Sequence, residues 1–148
     1  MEQVVWNGVA ASRLLLGGNP FSGFSHQGAQ RDTEMVTYYT VERIKATLRE
    51  AWRCGVTGLV ARSDRHIVRT LLEYRNEGGV ISWFAQTAPE VEFGTTVADA
   101  CAGGAVGCHL HGGVADHLYV QNRTDEIRER ILLIREKGML AGMAGHNP

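Results

Sequence analysis

The sequence has little of several features that define special classes of protein. Its 148 residues include only three prolines and three cysteines, and the formal net charge is −1. A near-neutral chain offers no basic surface, so we expect neither nucleic acid nor a membrane as a partner. It contains no run of about 18 apolar residues and no basic N-terminal segment followed by a long apolar stretch. These absences predict a cytoplasmic protein.

The cysteines do not suggest a disulfide framework. Their number is odd, and the spacing of Cys54, Cys101 and Cys108 matches no zinc motif. We therefore expect three reduced and mostly buried thiols.

Glycine, by contrast, is abundant: 18 of the 148 residues are glycine, or about 12% against a usual ~7%. Many of these glycines belong to a repeated unit in which an amphipathic helix is followed by a glycine and then by a short apolar strand. Gly55, Gly79, Gly104 and Gly138 mark four such junctions. This repetition is typical of chains that alternate strands and helices.

Hydrophobic periodicity gives the approximate bounds of the elements. Apolar residues at helical spacing predict one helix over 41–53 and a second that begins after Ser63 or Asp64 and ends at Gly78. A short helix near 96–101 and another over 125–137 are also expected. Apolar runs bounded by turn residues predict strands at 14–18, 56–61, 80–85, 106–111 and 139–143. A hairpin is expected within residues 1–11.

The order of elements predicts an α/β fold in a single domain over 1–148. Continuous apolar strands indicate a parallel sheet covered by helices. A doubly wound sheet would carry a Gly-x-Gly-x-x-Gly loop after its first strand, and residues 17–28 contain no such motif. We therefore favour a partial (β/α)8 TIM barrel, with the order β1-α1-β2-α2-β3-α3-β4-α4-β5.

Three segments resemble the aldo/keto reductase family. Residues 7–17, NGVAASRLLLG, are similar to the family's opening, in which a capping hairpin leads into a Ser-Arg-Leu-x-Leu-Gly strand. Residues 51–56 resemble its approach to the second strand, and residues 136–142 its approach to the fifth. The resemblance implies a TIM barrel of which this chain contains the N-terminal five strands.

The family's catalytic residues carry over at one position. The resemblance implies an Asp after the second strand with a nearby Tyr, a Lys after the third strand and a His after the fourth. Val60 stands at the Asp position, Ala85-Gln86-Thr87 has no Lys, and only His111 matches. The resemblance therefore supports the fold more than it supports reductase chemistry with NADP.

Polar residues follow each predicted strand, where the active sites of TIM barrels lie. All six histidines fall in these segments, and none falls in the predicted helices over 41–53 and 125–137. We predict that catalysis depends on His109, His111 and His146. The predicted substrate-binding residues are Asn19, His26, Arg62, Asp64, Gln86 and Asn147.

His109-Leu110-His111 leaves three interpretations open. Residues i and i+2 of a strand share a face, so both histidines are expected to point toward the barrel axis. With His146, and with Asp64 or Glu90 as a carboxylate, they could bind a divalent metal. Alternatively, His111 acts as an acid–base or substrate-binding group without metal, or the histidines are structural.

Three functions follow from these interpretations. The first is a small-molecule enzyme, or part of one, that resembles aldo/keto reductases but lacks most of their tetrad. The second is a metal-dependent hydrolase or isomerase that uses the same histidines. The third is a non-catalytic half-barrel that self-associates, since five strands are fewer than the eight of a complete barrel of about 250 residues. In each case we expect a homo-oligomer, most simply a dimer, because unpaired strand edges favour association.

Overall fold

A computed structural model describes residues 1–146 of the chain as a mixed α/β structure with a parallel sheet flanked by helices. Asn147, one of the predicted substrate-binding residues, lies outside the described residues. The strands are β1 (Gln3–Trp6), β2 (Val9–Ser12), β3 (Leu15–Gly17), β4 (Gly58–Arg62), β5 (Ser82–Gln86), β6 (Gly107–Leu110) and β7 (Leu140–Met143). The helices are α1 (Ala29–Tyr38), α2 (Val41–Arg53), α3 (Arg65–Asn76), α4 (Phe93–Ala102), α5 (Gly112–Val120) and α6 (Thr124–Glu136).

The five parallel strands pair in chain order, β3-β4-β5-β6-β7. Residues in register across the sheet include Val60 with Phe84 and Gln86 with His109. Within residues 1–146 the sheet is open, with β3 and β7 as its two edges. Because the strands are parallel, their carboxyl ends meet at one edge of the sheet, and the loops that follow them are brought together there.

One face of the sheet carries the hydrophobic core. Leu59 and Trp83 of adjacent strands are fully buried, and the Trp83 indole N–H donates a hydrogen bond to the Ala61 carbonyl oxygen at 3.1 Å. The opposite face, which we call the open face, carries half-buried side chains such as Val60 and Phe84. The helix residues in the core come from α2, α3, α4 and α6: Ile44, Leu48, Ile67, Leu71, Tyr74, Val97, Ala100 and Ile134.

The N-terminal hairpin is confirmed. β1 and β2 are antiparallel and are joined by Asn7 and Gly8, both with positive φ, as a two-residue hairpin turn requires. Ser12 and Thr57 exchange two hydrogen bonds of 2.9 and 2.8 Å, which tie the hairpin to the start of β4. The hairpin therefore lies at the amino ends of the strands, opposite the edge where the predicted site residues follow them.

The predicted faces of two helices are confirmed, and two helices were not predicted. Ile67, Leu71 and Tyr74 of α3 are buried as their spacing predicted. Helix α1 was missed because none of its residues is buried and its sequence has no apolar stripe. Helix α5 was missed because it begins with Gly112-Gly113, which resembles a loop. The count of four helices and the element order predicted from sequence are therefore incomplete.

The structure also corrects two smaller predictions. Helix α4 begins at Phe93 with Glu92 as its N-cap, three residues before the predicted start at Thr96. The carboxylate of Glu92 accepts hydrogen bonds from the Gly94 and Thr95 N–H groups, so the first turn forms before Thr96. Cys54 and Cys101 are exposed rather than buried, whereas Cys108 lies in the core.

No helix within residues 1–146 combines the length and apolar character needed to cross a lipid bilayer.

Candidate functional site

A polar cavity of about 230 Å³ lies at the carboxyl edge of the sheet. The last residues of β4 and β5 and the loops that follow β3, β6 and β7 contribute to it. Its lining consists of Asn19, Phe24, His26, Arg62, Gln86, His111, Gly112, Ala144, Gly145 and His146. Six of the predicted site residues are therefore brought together: Asn19, His26, Arg62, Gln86, His111 and His146.

Gly18 allows the loop after β3 to reach this cavity. Its backbone N–H donates a hydrogen bond of 2.7 Å to the Val60 carbonyl oxygen, which brings the loop directly against β4. A Cβ atom at this position would lie 2.4 Å from the Ala61 side chain, so only glycine fits. The next residue, Asn19, is thereby held at the cavity, where its amide nitrogen lies 3.3 Å from Nε2 of His26.

Arg62, the last residue of β4, places a buried cation at the cavity. Only 4% of the residue is exposed. Its guanidinium carbon lies 4.1 Å from the centre of the Phe24 ring, and its Nη2 donates a hydrogen bond to Oε1 of Glu90. Its Nε is buried and has no hydrogen-bond partner. Arg62 therefore lines the cavity and retains one buried donor that no protein group uses.

Asp64 lies beside the cavity but not in its lining. Its Oδ1 accepts a hydrogen bond of 2.8 Å from the Ile67 N–H and so caps α3, and its Oδ2 accepts one of 2.8 Å from the Ser22 hydroxyl. The distance of 3.8 Å from its Oδ2 to Nε of Arg62 is too long for a hydrogen bond. Both carboxylate oxygens are thus used within the protein.

The position of His111 at the start of α5 fixes the tautomer of its neutral imidazole ring. Its Nδ1 accepts a hydrogen bond of 3.2 Å from the Gly113 backbone N–H. An accepting Nδ1 carries no proton, so the neutral ring has its proton on Nε2. The pKa of His111 is lowered chiefly by burial and further by the charges of Arg62 and His146. At neutral pH, His111 is therefore an N–H donor.

His146, which follows β7, forms a pair with Asp116 of α5. Its Nδ1 lies 2.5 Å from Oδ2 of Asp116, and this hydrogen bond is the main reason why the pKa of Asp116 is lowered. Since the Asp116 carboxylate accepts a hydrogen bond from the Nδ1–H, Nε2 of the neutral imidazole bears the free lone pair. A Cβ atom on Gly112 would lie 3.1 Å from the imidazole Cε1, so glycine leaves room for this ring.

His109 contributes to a different cavity from His111. The broad depression on the open face, about 1090 Å³, is lined mainly by apolar and glycine residues and includes His109. The two histidines line different cavities because β6 ends at Leu110 and His111 caps α5. Although the open depression is larger, we identify the smaller cavity as the candidate site because convergent polar groups define it.

The sequence left open a metal site formed by His109, His111 and His146. Within residues 1–146, no three or more His, Cys, Asp or Glu side chains are arranged so that they could hold a metal ion. His109 lines the depression on the open face, whereas His111 and His146 line the polar cavity, so the three imidazoles do not converge.

The residues present do not fit the nicotinamide chemistry that the family resemblance implies. Where the family has a lysine after the third parallel strand, this chain has Gln86 and the buried Thr87, whose hydroxyl accepts a hydrogen bond from the His111 backbone N–H. Val60, at the family's Asp position, is a mid-strand residue of β4. The proton donor of a ketone reductase needs neighbouring ionisable groups that adjust its pKa. The Asp and Lys that the family has for this purpose are replaced here by Val60 and by Gln86-Thr87.

Sequence reasoning missed the contributions of Phe24 and α5 to the site. Phe24 stands in a loop without periodic signal, and only the tertiary structure brings its ring against Arg62. Helix α5 could have been found from Ala115 and Leu118, which are buried and spaced by one helical turn. Comparison of the chain with known protein families, with characterised proteins and with solved structures finds no match in any of the three.

Proposed function

We propose that this chain is a small-molecule enzyme, or part of one, that performs acid–base chemistry at the carboxyl edge of a TIM half-barrel. The observation that carries the proposal is the convergence of groups from all five strand ends on one polar cavity. In TIM barrels, catalytic groups come from the carboxyl ends of several strands.

Two features of the fold support the half-barrel. The strands pair strictly in chain order, whereas a doubly wound sheet reverses its order at a switch point. The hairpin lies at the amino ends of the strands. This position agrees with the proposed relationship to aldo/keto reductases, because residues 7–17 of this chain resemble the opening segment of that family.

Complementary hydrogen-bonding states of two histidines support the chemistry. His111 offers an Nε2–H donor, and His146, oriented by Asp116, offers an Nε2 lone pair. A base and an N–H donor in one cavity suit the removal of a proton next to a carbonyl group. The proton would pass from the substrate carbon to His146 Nε2, while His111 donates a hydrogen bond to the carbonyl oxygen as negative charge develops there.

Exchange of substrate protons with solvent tests this proposal. We would incubate the protein in D₂O with small aldehydes, ketones and 2-oxo acids and follow the loss of protons next to the carbonyl by ¹H NMR. Removing one general acid–base group is expected to slow exchange by about 10²–10⁴-fold. His146→Gln removes the base, and His111→Asn removes the imidazole Nε2–H donor but retains a residue that caps helices well.

The control is His117→Gln, which changes an exposed histidine of α5 outside the cavity lining. It should exchange protons at the wild-type rate. Wild-type exchange no faster than the buffer, for every compound, would refute the proposed chemistry.

Self-association of a non-catalytic half-barrel is a second candidate function, favoured by the open face. Parallel sheets normally have both faces covered. Here Val5 and Trp6 are exposed at the rim of the depression that also holds Val60 and Phe84. We propose that a second copy of the chain covers this face.

A further inference from the structure

We propose that Arg62 is the receptor for a carboxylate group of the small-molecule ligand, and that Glu90 occupies this receptor as an exchangeable counter-ion. The inference rests on the proposed function, because it assigns a ligand class to the same cavity.

The burial of Arg62 provides the first argument. A guanidinium cation that is only 4% exposed requires compensation by an anion or by hydrogen bonds. The hydrogen bond that it donates to a carboxylate goes to Glu90, a residue of the loop between β5 and α4. The Glu90 side chain is 59% exposed, so solvent competes for it and it can leave without crossing the core.

The hydrogen-bonding edge of Arg62 is only half used, which is the second argument. Nε and Nη2 lie on the same edge of the guanidinium plane, and this edge matches the two oxygens of one carboxylate. Glu90 gives Oε1 to Nη2, while the buried Nε has no partner. A buried donor without a partner costs free energy, so a ligand that satisfies both atoms is favoured over Glu90.

Asp64 does not fill the second position. Its carboxylate is bound by the Ser22 hydroxyl and by the N-terminal turn of α3. Turning it toward Nε would break the cap of that helix.

The loop that carries Glu90 is anchored, so exchange needs only the side chain to move. The Val91 N–H donates to the Ala88 carbonyl oxygen at 3.1 Å, and the Ala88 N–H donates to the Thr96 hydroxyl at 3.2 Å. When the Glu90 side chain turns into solvent, a ligand carboxylate takes its place and the buried charge stays paired throughout. The remaining lining then offers His111 and Gln86 as hydrogen-bonding groups for the rest of the ligand.

The ¹⁵Nε–H resonance of Arg62 provides a direct test. The protein would be titrated with acetate, pyruvate and succinate, with acetamide as a neutral analogue and inorganic phosphate as a different anion. We expect carboxylates to shift this resonance saturably and acetamide to leave it in place. The resonance is assigned by its absence in Arg62→Lys.

Glu90→Gln keeps the fold and removes the competing charge. Only the Glu90 side of this ion pair is exposed, so solvent weakens its hold on Arg62, and its loss should tighten carboxylate binding by roughly two- to fivefold. Glu50→Gln, which breaks an exposed ion pair with Arg53 on α2, is the matched control and should bind as the wild type does.

The outcomes separate this inference from the proposed function. If pyruvate exchanges protons or acetamide binds in the cavity, but no carboxylate shifts Arg62 Nε–H, the receptor assignment is wrong and the acid–base proposal stands. Binding of phosphate without binding of carboxylates overturns the ligand class. Equal affinities of wild type and Glu90→Gln overturn the counter-ion role. If nothing binds and no protons exchange, both proposals fail.

Discussion

At the scale of single residues, the charge of Arg62 influences the protonation of its neighbours. Its hydrogen bond is the main reason why the pKa of Glu90 is lowered, and its charge adds to the effect of burial in lowering the pKa of His111. Near pH 7, the Glu90 carboxylate beside Arg62 therefore stays ionised, and the His111 imidazole in the cavity stays neutral. This combination agrees with a site in which His111 donates through Nε2–H rather than through a charged ring.

The two half-buried histidines make stability depend on pH. Burial is the main reason why the pKa values of His109 and His111 lie below the ordinary 6.5. Between those lowered values and 6.5, the unfolded chain binds more protons than the folded one, so stability rises with pH and is lost as pH falls. We expect a smaller free energy of unfolding at pH 5.5 than at pH 7.5, measured by urea denaturation.

His109→Gln should reduce this pH dependence, whereas His117→Gln, at an exposed position, should retain it. Equal free energies of unfolding at the two pH values in the wild type would contradict the prediction.

At the scale of elements, Asp64 couples a helix to the site loop. It caps α3 through the Ile67 N–H and holds the loop after β3 through the Ser22 hydroxyl. The side chain therefore serves the fold at the position where the sequence predicted substrate binding. The Asp64 carboxylate lies beside the cavity but does not line it, so its contact with substrate remains a prediction.

Removal of this cap should destabilise the protein. Asp64→Ala is expected to lower the free energy of unfolding by about 1–2 kcal/mol, because an N–H group of the first turn loses its acceptor. Asp64→Asn retains an acceptor and should stay close to wild type. Urea denaturation at pH 7.5 measures both variants, and an Asp64→Ala protein as stable as Asp64→Asn would refute the capping role.

At the scale of the whole molecule, the parallel sheet within residues 1–146 differs from the usual one because helices cover only one of its faces. One face of the sheet is packed by helices, while the other bears a broad depression rimmed by exposed apolar residues. Burying that surface in a dimer would be favourable in proportion to the apolar area removed from water. The candidate cavity lies at the carboxyl edge of the sheet and not on the open face. A dimer formed through the open face would therefore leave the cavity of each copy accessible.

A pair of valine variants tests self-association. Val5 is 67% exposed at the depression, and Val120 is 77% exposed at the end of α5. We expect the wild type to sediment as a dimer, Val5→Asp to sediment as a monomer, and Val120→Asp to remain dimeric. A monomeric wild type at all concentrations measured by analytical ultracentrifugation would rule out this interface.

The sequence by itself determined the local structure of this protein. The second predicted helix starts after Asp64, one of the two expected positions, and buries the predicted stripe of Ile67, Leu71 and Tyr74. The expected N-terminal hairpin also forms, with its turn at Asn7-Gly8. Each of these features carries its signal within a few residues. Such signals are readable because helix and strand periods repeat over two to four positions. Where the local signal was weak, as in the polar α1 and the glycine-led α5, the prediction failed.

Only the tertiary structure decided which polar side chains meet. His109 and His111 are two residues apart, yet they line different cavities, whereas Arg62 reaches Glu90 from 28 positions away. The physical reason is that these contacts depend on strand register and on where each chain reversal ends. Neither leaves a periodic trace in the sequence. The sequence indicated the edge of the sheet where the candidate site lies, and the packing of its loops determined which side chains line it.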